Sequence, residues 1–121
     1  MSSVAKSVGG AHRGLDMWLA QRASAVYMAL FLPVFLFCAV SAPSLDYAGW
    51  RALFLPLGMK VAALLFVAAT LAHAWIGLRE IFIDYLHCPR CTMLRLSLYF
   101  AVAVLYLACL VWAVDILWSV K

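Results

Sequence analysis

Charge is scarce in this sequence. Of 121 residues only 5 are Asp or Glu and 9 are Lys or Arg, while 69% are hydrophobic; that leaves too little charge to cover the surface of a soluble globular domain. The chain reads as a membrane protein. It also lacks internal repeats, low-complexity linkers and a soluble domain, so residues 1–121 read as a single membrane domain. No folded basic patch is present. The net charge of +4 comes mainly from Lys and Arg at the ends of apolar runs, an orientation signal and not a nucleic-acid footprint. The start, MSSVAKSVGGAHRGLD, lacks the short apolar core and small-residue cleavage site of a signal peptide, and it leads into a run long enough to span. That first run is expected to stay. The same stretch is too short and too Arg-poor for an organelle transit peptide, which favours a bacterial inner membrane over a mitochondrial mature form.

What is present is three long apolar runs: about Trp18 to Val40, ended by SAPS, then about Leu57 to Ile83, and about Met93 to Trp118. Each approaches or exceeds the roughly 20 residues that cross a hydrocarbon core of about 30 Å. The expected fold is therefore all-α, a three-helix transmembrane bundle, with Pro33 a candidate kink in the first helix. Lys6, Arg13, Arg22, Arg79, Arg90 and Arg95 fall on one side of such a bundle, and Arg51, Lys60 and Lys121 on the other. The positive-inside rule then places the N-terminus in the cytoplasm and the C-terminus in the periplasm. Trp18, Trp50, Trp112 and Trp118 lie near span ends, where an aromatic belt is expected.

Residues 71–85, LAHAWIGLREIFIDY, place three ionisable groups in or at the end of one apolar run. At about 100° per residue Glu80 and Asp84 lie roughly 20° to either side of His73, so all three project from one helix face. His73 is about eleven residues, or roughly 16 Å, above Asp84 and hence near mid-bilayer. An ionisable side chain at that depth is costly and marks a functional site by default, the alternative being an imidazole bonded to a neighbouring helix. Ala69 and Gly77 flank it one turn away on each side. Their small size would let a flat macrocycle approach while His73 supplies an axial nitrogen, although small-xxx-small is also an ordinary packing face. If a haem takes two axial histidines, this chain cannot supply both, because His12 is in the tail and His87 in a loop. The second comes from another subunit. No CxxCH run is present, so covalent c-type attachment is excluded and any haem is b-type. Asp84 and Tyr85 close the run at the interface, as ordinary interfacial residues or as a quinone head-group site, where a phenol donates a hydrogen bond and a carboxylate relays protons. Glu80 is better suited to pairing with Arg79, Arg95 or a partner chain.

Two segments carry a resemblance. His73-Ala74-Trp75-Ile76-Gly77, followed after six residues by Asp84-Tyr85, and the block GLDMWLAQRASA at residues 14–25 resemble the small hydrophobic membrane-anchor subunit of bacterial succinate dehydrogenase (respiratory complex II), in its D-subunit branch. The resemblance covers nearly the whole chain. It implies that His73 is an axial ligand of haem b, with the other ligand on a companion cytochrome b anchor subunit. It further implies that Tyr85 binds ubiquinone, that Asp84 is the neighbouring acid of the quinone site, and that Arg22 lies near the haem propionates. Electrons from succinate would arrive through flavoprotein and iron-sulfur subunits. The chain itself carries no flavin motif and no iron-sulfur cysteine set, so no succinate oxidation is expected of it alone.

The loop His87-Cys88-Pro89-Arg90-Cys91 departs from that pattern. With His12 it reaches a conceivable zinc set only at a stretch, and it lacks a thioredoxin-like surround, so a tight Pro turn with reduced thiols is the expected state. Cys38 and Cys109 sit singly in apolar runs. Two other readings stay open: an anchor of a fumarate reductase, and a purely structural helix bundle. A small multidrug transporter is disfavoured, since it wants four spans and a carboxylate inside the first.

Overall fold

The computed structural model describes the backbone of residues 9–86 and 89–121 and the side chains of residues 14–86 and 90–121. The described residues form α1 (Gly9–Val40), α2 (Tyr47–Leu53), α3 (Leu57–Tyr85), a 3-10 turn at Pro89–Cys91 and α4 (Thr92–Ser119), with no strand among them. Three segments are long and apolar enough to cross a membrane: Gly14–Val40, Leu57–Tyr85 and Thr92–Ser119. At 1.5 Å per residue each is about 40 Å long, more than the hydrocarbon thickness, so their ends reach the head-group layer or the helices tilt. The helices outrun the apolar runs for this reason. Backbone bonding does not stop at the first polar side chain, and α1 begins at Gly9, before Trp18, while α3 carries Asp84 and Tyr85 in its last turn.

α3 packs against both α1 and α4. Its α1-facing stripe runs Ala62, Phe66, Thr70, His73, at the three- and four-residue spacing of one helix face. The Tyr27 hydroxyl donates to the Ala62 carbonyl at 2.9 Å, Phe31 stacks on Phe66 at 4.9 Å between centroids, and the Thr70 hydroxyl reaches the Met28 sulfur at 3.3 Å. On another face Trp75 meets Tyr99 at 5.6 Å, and Phe82 meets Tyr99 edge-on at 5.2 Å. At the far end the Lys60 ammonium donates to the Val120 carbonyl at 2.7 Å, tying α3 to the end of α4. Among the described residues only Ile76 and Leu117 are buried hydrophobics, and aromatic and aliphatic side chains cover the exterior. Lipid and partner helices solvate such a surface in a membrane, where no water-driven collapse selects a large apolar core.

The short α2 has a local cause. Asp46 is its N-cap, accepting from the Gly49 amide at 2.9 Å and from the Ser44 hydroxyl at 2.6 Å, and these two bonds hold its carboxyl below the usual carboxylate range. Because the folded pKa is depressed, the cap's contribution is complete near neutral pH and is lost as pH falls through that depressed value. α2 in turn seats Trp50 edge-on to Phe35 at 5.6 Å and Phe54 at 5.8 Å from the same ring. Gly49 is buried, and a Cβ there would collide with the Ser44 carbonyl oxygen. Gly49→Ala is therefore expected to unseat α2. Hydrogen exchange should quicken over residues 47–53 and stay native in α3; native protection in both would refute the collision.

The turn at Pro89–Cys91 agrees with the expected Pro turn, and Cys38 and Cys109 are free thiols. His87, Cys88 and the side chain of His12 lie outside the described residues. Among the described residues no group of three or more His, Cys, Asp or Glu is placed to hold a metal ion.

Candidate functional site

His73 and Ser24 meet because α1 and α3 are antiparallel and similarly placed relative to their connection. Ser24 is 16 residues before Val40, the end of α1, and His73 is 16 residues after Leu57, the start of α3, which puts both roughly 24 Å from that end of the pair. The His73 Nδ1 is 3.2 Å from the Gln21 carbonyl oxygen and 3.2 Å from the Ser24 hydroxyl, and that hydroxyl donates to the same carbonyl at 2.9 Å. Ser24 is 8% exposed and is the one polar residue buried among the described side chains. Nε2 carries no hydrogen bond among the described residues. The ring is thus held by one nitrogen and free at the other. One turn further along α3, a Cβ added to Gly77 would meet no atom within 4 Å, so the small residue there leaves open room and is not filling an α1–α3 contact.

Toward the start of α1 and the end of α3 the two helices line a cavity of about 850 Å³, whose walls include Asp16, Trp18, Gln21, Ile76, Arg79 and Glu80. That volume lies within the roughly 300–1,000 Å³ usual for small-molecule sites. Two carboxylates and a guanidinium line it, and Glu80 makes no ion pair with Arg79 or Arg95 among the described residues, unlike the pairing its position suggested. Arg22 is exposed and stacks over the Trp18 ring at 5.6 Å to the centroid, a cation–π contact between residues one turn apart. At the opposite end of the spans a second cavity, of about 490 Å³, is lined by apolar side chains including Phe31, Phe35, Phe66 and Trp112.

The family described as succinate dehydrogenase/fumarate reductase transmembrane subunit matches residues 2–113. The chain belongs to that family. A curated relative from Coxiella burnetii (strain RSA 493 / Nine Mile phase I), named succinate dehydrogenase hydrophobic membrane anchor subunit, is 36% identical over 110 residues, 90% of this chain and 92% of the relative. This anchor subunit is a multi-pass membrane protein, and it associates with the membrane and with the catalytic part of its complex. A bacterial inner membrane fits the Coxiella relative.

Of the residues singled out from sequence in this anchor subunit, His73 is gathered into an α1–α3 contact and the others are not. Tyr85 is 83% exposed and Asp84 is exposed, both in the last turn of α3 and neither lining the large cavity. Tyr85 lies about 18 Å along the helix from His73, in the last turn of α3, where any pocket around it needs walls from beyond the described residues. Sequence reasoning missed three groups: Ser24, the Gln21 carbonyl and Arg79 as a cavity cation. The first two have a sequence signal, since folding the first two spans back on each other at SAPS brings Ser24 level with His73.

Proposed function

We propose that this anchor subunit supplies His73, through Nε2, as one axial ligand of a haem b shared with a companion cytochrome b anchor subunit. In the same reading Asp84 and Tyr85 form this chain's part of a ubiquinone-reduction site. Electrons from succinate reach it through flavoprotein and iron-sulfur subunits. The observation that carries the reading is the asymmetry of His73, whose Nδ1 is engaged by α1 while Nε2 carries no hydrogen bond among the described residues. A histidine that only glued two helices would not need Nε2 or the open room beside Gly77. Haem, when bound, supplies a one-electron redox centre tuned by its axial ligands and surroundings. The chain's own residues do the rest. His73 would hold the iron, Tyr85 would donate a hydrogen bond to a quinone carbonyl, and Asp84 would pass protons from the aqueous side. Arg22, next in sequence to the Gln21 whose carbonyl touches His73, leaves Trp18 in this reading for a propionate carboxylate, a pairing its planar fork favours.

The test is a succinate-reduced minus oxidised optical spectrum of the affinity-purified chain with whatever co-purifies. A b-type signal, together with flavoprotein and iron-sulfur subunits on a gel, supports the reading. Partners without a haem signal would remove the haem and leave the quinone site, and no partners at all would leave a structural bundle. Arg22→Leu should lower the haem retained per complex after detergent washing; unchanged retention and an unchanged redox titration would separate Arg22 from the propionates. The family description covers both succinate dehydrogenase and fumarate reductase, and the succinate direction is favoured by the relative's printed name.

A further inference from the structure

Resting on the haem reading above, we propose that Ser24 is a positioning residue for His73. Together with the Gln21 carbonyl it selects the tautomer, fixes the ring plane and raises the electron density of the axial nitrogen. The chemistry follows from which atoms can give a proton. A carbonyl oxygen has none, so a ring nitrogen 3.2 Å from the Gln21 oxygen must itself carry the hydrogen. The Ser24 hydroxyl spends its own proton on that carbonyl at 2.9 Å, which turns an oxygen lone pair toward Nδ1 at 3.2 Å. The Nδ1–H is therefore shared between two acceptors on one side of the ring. Nε2 is left as the lone-pair nitrogen before any metal arrives.

Two consequences follow for a bound iron. Acceptors on Nδ1–H make the imidazole a stronger donor and favour the oxidised metal, lowering the potential. Two acceptors at equal distance also stop the ring from turning about its bond to Cβ. Ser24 acts on both, and it is buried in a helix interface facing His73, where an unpaired hydroxyl would be costly. Its hydrogen to Gln21 and its lone pair to His73 satisfy it.

The experiment is a redox titration and a low-temperature electron paramagnetic resonance spectrum of the oxidised haem in the intact purified complex, for native, Ser24→Ala and Ser24→Thr. Haem content is measured alongside. Ser24→Ala is expected to keep its haem, to shift the midpoint potential upward and to displace or broaden the low-field resonance, which reports the orientation of the axial rings. Ser24→Thr, which restores the hydroxyl, is expected to return both readouts toward native. If Ser24→Ala fails to assemble, Ser24→Cys, close in size but a weak acceptor, carries the same expectation. A native haem whose potential and resonance ignore the loss of the hydroxyl overturns this inference alone. A native complex without b-type haem overturns the haem reading, and this inference with it.

Discussion

His73→Ala is expected to abolish the b-type absorbance of the purified complex while the three spans remain inserted. Among the described side chains His73 is the only histidine, so no substitute imidazole is at hand there. The competing effect is loss of helix packing, and magnitudes decide between them. A side-chain hydrogen bond between membrane helices averages about 0.6 kcal/mol, and α1 and α3 keep the Tyr27–Ala62 bond and the Phe31–Phe66 stack without His73. Losing an axial ligand, by contrast, removes a metal–nitrogen bond with nothing to replace it. The checks are the difference spectrum and the subunit ratio on a gel. Haem at native stoichiometry in His73→Ala would remove His73 as ligand, and disappearance of the whole complex would assign it to packing.

Tyr85→Phe is expected to lower succinate:ubiquinone turnover about tenfold while succinate oxidation by a soluble artificial acceptor stays at the native rate. One hydrogen bond to a reacting carbonyl is worth about 1.4 kcal/mol, and that is a factor of ten. The substitution should leave the fold alone, because Tyr85 is 83% exposed at the end of α3 and, among the described residues, no bond from its hydroxyl holds two elements together. Measuring both assays on one preparation separates the quinone step from the catalytic part of the complex. Equal rates in the two assays, native or reduced, would take Tyr85 out of the site.

The spans, their number and their order were legible because a bilayer demands about 20 apolar residues per crossing and the chain has only three such runs. Their ends were not, since helical bonding carries on through polar residues such as Asp84 until the backbone leaves the head-group layer. α2, with seven residues, Tyr47–Leu53, is too short for a periodic signal. It exists through the Asp46 cap and the Trp50–Phe35 contact, which joins residues distant in sequence. Glu80 is suited by its type to pairing with Arg79, Arg95 or a partner chain. Among the described residues Glu80 and Arg79 line a cavity without pairing, because neighbours in a helix point about 100° apart.

The sequence alone determined that this is a three-span membrane subunit, that His73 falls well inside the second span, and that Asp84 and Tyr85 close that span. Hydropathy and helical rise are local properties, and a bilayer converts them directly into depth. Only the tertiary structure decided which nitrogen of His73 is engaged, that Ser24 and the Gln21 carbonyl engage it, and that Arg22 rests on Trp18 while Arg79 faces the cavity. Those are questions of rotation about a helix axis and of which faces meet. Among lipid tails as apolar as the side chains, hydropathy carries no information about either, and the few buried polar contacts settle both.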